Sequence, residues 1–66
     1  MVNPDVVEFE DVEVVGDTGL TLVCVVNGRR VMIPPLQLDR RSQVRRVGDR
    51  GLLVIPRWLA IDLGLV

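Results

Sequence analysis

The chain has 66 residues, 48% of them hydrophobic and 26% charged, with a formal net charge of -1. A domain this short buries only about 60% of the surface its unfolded chain exposes, so its core needs outside support. One cysteine and no histidine exclude an internal disulfide and a Cys/His zinc site, so no metal or cofactor is expected. The remaining sources of support are self-association and a protein partner.

The acidic stretch Met1 to Glu13 lacks the basic and apolar regions of a secretory leader, and Leu20 to Val26 is far short of a bilayer span. A cytoplasmic address and a single domain over 1–66 are the expectation. The charge is polarised along the chain. Asp5, Glu8, Glu10, Asp11, Glu13 and Asp17 precede residue 29 with no base among them, and all eight basic residues are arginines between Arg29 and Arg57.

Val6 to Val15 alternates as a strand, with Val7 and Phe9 on one face. The apolar phase slips at Asp11, because Val12 and Val14 continue on the wrong parity. A β-bulge or sharp bend at Asp11 restores them to the same side. Gly16 to Gly19 then turns the chain.

The second strand, Leu20 to Val26, places Leu20, Leu22, Cys24 and Val26 on one face and Thr21, Val23 and Val25 on the other. Two apolar faces mark either a central strand or a strand whose second face is an interface. Cys24 reads as a small buried hydrophobe. Asn27-Gly28 is a type I′ hairpin signal, since both positions of that turn need positive φ. Arg29 to Ile33 returns as the third strand and Pro34-Pro35 ends it. Leu36 and Leu38 are candidate inward anchors in the polar link that follows, and Val44 to Val47 is a candidate short strand.

Gly48 to Gly51 forms a second turn and Leu52 to Ile55 a buried strand. Pro56 opens, and Gly64 caps, a two-turn helix whose Trp58, Leu59, Ile61 and Leu63 are expected to close an end of the sheet. The predicted fold is therefore mainly β, a small five-stranded antiparallel barrel of the Src-homology-3-like type with a short C-terminal helix.

Catalysis finds little support, because the chain has no histidine, lysine or tyrosine and one buried cysteine. Glu8 and Glu10 stand about 7 Å apart on one strand face, a spacing that suits a solvated, guarded face better than paired acid chemistry. Two surfaces remain as candidate sites. Thr21, Val23 and Val25 form the candidate self-association face. Arg40, Arg41, Arg45, Arg46, Arg50 and Arg57 form a candidate contact for nucleic acid or an acidic partner. With Phe9 and Trp58 both expected inward, that segment lacks a stacking platform for single strands. The reading from sequence is a non-enzymatic interaction module that associates with itself or a protein partner, with nucleic-acid binding as the alternative.

Gly48 to Leu65, G-D-R-G-L-L-V-I-P-R-W-L-A-I-D-L-G-L, together with V-M-I-P-P-L-Q at Val31 to Gln37 and the strand ending in Asn27-Gly28, resembles a family of short uncharacterised bacterial and bacteriophage proteins. The resemblance implies a compact fold and a mobile-element origin, and carries no activity. Met32 stands where an aromatic is common in that family, and Pro35-Leu36 where Lys-Ser is usual. Gly51 to Leu65 also looks like the strand-Pro-helix signature of AbrB/MazE-type swapped-hairpin transcription factors and antitoxins, which bind DNA as intertwined dimers. In that family a Pro-Gly-Asp turn and two further strands follow the signature, and the sequence through Val66 contains neither.

Overall fold

A computed structural model describes residues 5–66. The part of the leader reading that concerns Met1 to Pro4 lies outside the described residues. Four strands form one antiparallel sheet in the order β3-β2-β1-β4: β1 (Val6–Asp17), β2 (Leu22–Val26), β3 (Arg29–Ile33) and β4 (Arg50–Pro56). A short 3₁₀ turn (Pro35–Gln37) follows β3, and helix α1 (Arg57–Asp62) follows β4.

The long first strand organises the sheet by serving two partners in turn. Val6 to Phe9 pair with Pro56 to Leu53 of β4, whereas Glu13 to Asp17 pair with Val25 to Leu22 of β2. Between Phe9 and Val12 the register slips by one residue, and Asp11 sits there at φ 56°. The expected bulge is present, and it returns Val12 and Val14 to the buried side with Phe9. A second slip between Val14 and Gly16 leaves Val15 as the extra residue. Each bulge bends and twists β1, which lets one strand pair with β2 on one side and β4 on the other.

Asn27 and Gly28 adopt φ 52° and 80°, the left-handed pair that a type I′ turn requires. The hairpin they close is regular from Val26↔Arg29 to Leu22↔Ile33. Strand β2 is central in the sheet order, between β3 and β1.

The buried cluster lies on one side of the sheet: Phe9, Val12, Val14, Leu22, Cys24, Val26, Val31, Ile33, Leu53 and Ile55 from the strands, closed by Val44, Leu59 and Ala60. Burial pushes the Cys24 thiol above its ordinary value. Helix α1 ends in a Schellman motif. The Leu65 amide donates to the Ala60 carbonyl at 2.9 Å and the Gly64 amide to the Ile61 carbonyl at 3.0 Å, with Gly64 at φ 73°. The Arg29 guanidinium donates to the Gly64 carbonyl at 2.9 Å and ties this helix end to the β2–β3 hairpin.

Four expectations need correction. Among the described residues Val44 to Val47 form no strand, so the sheet is open with four strands and not five. The reason is local: the Asp49 carboxylate accepts the Arg45 and Arg46 amides at 2.9 and 3.1 Å, which diverts them from any ladder. Leu36 is not an inward anchor but 95% exposed, while Leu38 does pack against the core. Leu20 precedes β2 in the turn and is exposed. Trp58 and Ile61 face outward, because a helix of six residues can offer one stripe to the sheet and Leu59, Ala60 and Leu63 supply it.

Candidate functional site

Thr21, Val23 and Val25 lie on the side of β2 opposite the core, and all three are partly covered. Register fixes their neighbours. Val25 stands between Arg30 of β3 and Glu13 of β1, whose other partner is Arg50 of β4, so one row reads Arg30, Val25, Glu13, Arg50. Val23 stands between Met32 and Gly16. A Cβ at Gly16 would meet Val23 at 3.5 Å, an ordinary contact, so the glycine leaves that flank of Val23 open.

Met32 is 58% exposed on this face and completes an apolar strip with Val23, and Val15 at the second bulge is exposed as well. Met32 was missed in the sequence reading, although counting across the two-residue Asn27-Gly28 turn puts residue 32 opposite residue 23. Thr21 belongs to the turn more than to the strip. Its hydroxyl shares a hydrogen bond with the Thr18 hydroxyl at 2.9 Å, and its carbonyl accepts from the Thr18 amide at 2.9 Å.

The six arginines come from three parts of the fold. Arg40, Arg41, Arg45 and Arg46 follow the irregular segment beside β4, Arg50 lies across the sheet row beside Glu13, and Arg57 opens α1. Several are engaged at home. The Arg41 amide and Nε both donate to one Asp39 carboxylate oxygen at 3.0 Å, and its guanidinium reaches Glu8 at 4.0 Å. Arg45 donates to the Asp39 carbonyl at 3.2 Å. Hydrogen bonds from Arg41 lower the Asp39 carboxyl below its ordinary value, and the Arg45 and Arg46 amides do the same for Asp49. These acids are local anchors for the arginine segment, and solvent screens what their charges contribute.

The outward turn of Trp58 creates a feature the sequence reading did not foresee. Trp58 and Ile61 stand one helical turn apart, and with Asp5, Val6, Pro56 and Arg57 they line an open, largely apolar cavity of about 520 Å³. Among the described residues no three His, Cys, Asp or Glu side chains converge as a metal site, and no helix is long and apolar enough to cross a membrane. No protein-family model, curated protein or solved structure matches this chain.

Proposed function

We propose that this protein is a non-enzymatic association module that works by joining copies of itself through the outer side of the β2–β3 hairpin. The observation that carries this reading is the strip of Val23 and Met32, flanked by Val25, on the side of the sheet opposite the core, with Met32 open to water within a strand. A chain with so small an interior gains most by covering such a strip. The hydrogen bonds of the segment beside β4 to Leu52 and Val54 support a kinship with small barrels of the Src-homology-3-like type, in which this segment would correspond to a fifth strand.

Amide spectra recorded through a dilution series test the reading. Resonances of Val23, Val25 and Met32 are expected to move with concentration while those of Trp58 and Ile61 stay fixed. Shifts confined to the helix would overturn it.

Nucleic-acid binding stands as the second reading because Trp58, exposed beside Arg57, supplies the aromatic platform that an inward tryptophan would have denied. Glu8, Asp5 and Asp39 lie among the arginines on that side and oppose a phosphate backbone. Trp58 is the sole tryptophan, so its fluorescence reports directly. Quenching by a single-stranded oligonucleotide at low salt, lost on R40A/R41A/R45A/R46A substitution, would favour this reading over the first.

A further inference from the structure

Strand β3 forms one margin of the sheet. At the other margin the outer edge of β4 is already occupied: the Asp39 amide donates to the Val54 carbonyl, the Gln43 amide to the Leu52 carbonyl, and the Ser42 and Gln43 side chains take the Val54 and Leu52 amides. Among the described residues no segment does this for β3. Natural sheets guard such edges with proline, bulges or inward charge. Between Arg29 and Ile33 there is no proline, the register with β2 is unbroken, and the inward residues Val31 and Ile33 are apolar. Arg29 is tied back to Gly64, which leaves Arg30 as the one untethered charge on the strand.

Resting on the reading above only in that copies of this chain associate, we infer that the occupant of this edge is the same strand of a second copy, paired antiparallel across a twofold axis at Val31. A two-residue turn makes Val26 and Arg29 a hydrogen-bonded pair, so along β3 the amides of Arg29, Val31 and Ile33 face β2. The N–H and C=O groups of Arg30 and Met32 point away from it. A second copy must meet those two residues, and only a few registers do so.

Pairing Arg30 with the second copy's Arg30 sets like charges opposite each other and runs Met32 against Gly28 in the left-handed turn. Pairing Met32 with Met32 sets Arg30 against Pro34, which has no N–H to give. Pairing Arg30 with Met32 satisfies both residues on both strands, in four main-chain hydrogen bonds. It also lays each arginine's aliphatic stem along the exposed thioether of the opposite methionine, with the guanidinium left in water. The two Val23 and Met32 strips then become one surface, and the sheet runs through eight strands.

An edge contact of this size lies below about 1,200 Å², so the association is weak and is read at about ten to several hundred micromolar. Sedimentation velocity across that range on the full chain tests it with three variants. M32K places a lysine opposite Arg30 in both halves of the pair and is expected to weaken dimerisation about tenfold. Adding R30E to M32K sets opposite charges at the same two places and is expected to restore dimerisation to within about threefold of the parent. M32P removes two of the four donors at a position that gives none to β2, and is expected to leave a folded monomer by circular dichroism. Slowed hydrogen exchange at the Arg30 and Met32 amides on concentrating the parent protein would support the same register. A parent whose dimerisation M32K weakens but R30E/M32K does not restore overturns the edge pairing and leaves association to the outer face of Val23, Val25 and Met32. A parent that is monomeric throughout overturns both.

Discussion

The Ser42 hydroxyl and the Val54 backbone form a closed pair: the Val54 amide donates to Ser42 Oγ at 2.8 Å, and Oγ donates to the Val54 carbonyl at 2.9 Å. One side chain thereby gives the Val54 amide its acceptor and adds a second donor, beside the Asp39 amide, to the Val54 carbonyl. This explains how Asp39 to Gln43 can cover the edge of β4 without being a strand. Ser42 is buried, so Ser42→Ala leaves the Val54 amide without a partner where water cannot reach it. The expected loss is about 1–3 kcal/mol in denaturant unfolding, with m unchanged. A loss under about half of that would show that the segment re-pairs with β4 by itself.

Gly51 sits at φ 152°, and a Cβ there would come within 2.6 Å of Gln43 Oε1, the acceptor for the Leu52 amide. Gly51→Ala therefore strains the backbone and displaces that acceptor together, at an expected cost of about 1–3 kcal/mol. Removing the obstructing side chain separates the two effects. If the clash dominates, G51A/Q43A is more stable than G51A, whereas dominant backbone strain makes the double variant no better.

The carboxyls of Asp39 and Asp49 titrate below the ordinary value of 3.8 because hydrogen bonds from the arginine segment favour their charged forms. A folded-state value below the unfolded one contributes stability that is complete above the unfolded value and lost as pH falls through the folded one. Thermal unfolding followed from neutral pH is accordingly expected to weaken below about pH 4. In Asp49→Asn that acid-side decline is expected to be shallower, with a lower Tm at neutral pH. An identical slope in parent and variant would remove Asp49 as an anchor of the segment.

Strand signals that rest on turn chemistry and parity were legible in the sequence. Asn27-Gly28 gave the hairpin, the parity slip at Asp11 gave the bulge, and Gly64 gave the helix cap, because each depends on a residue's own backbone preference. The segment after Pro35 was not legible. Its course is set by side-chain to backbone bonds of Ser42, Gln43 and Asp49 with partners up to twelve residues away, and no periodicity records such bonds. Trp58 was misplaced for a related reason. In a short helix, which apolar stripe turns inward depends on how the sheet meets it, and the sequence presents Trp58-Ile61 and Leu59-Leu63 as equal candidates. The candidate face was found in part: Val23 and Val25 follow from alternation, while Met32 required the hairpin register.

Sedimentation equilibrium of the parent chain over a hundredfold range of concentration tests the association claim most directly. The account predicts a weight-average mass rising from the 7.4 kDa of one chain toward twice that value, with a single monomer–dimer constant describing all speeds. A mass that stays at one chain at every concentration would contradict it.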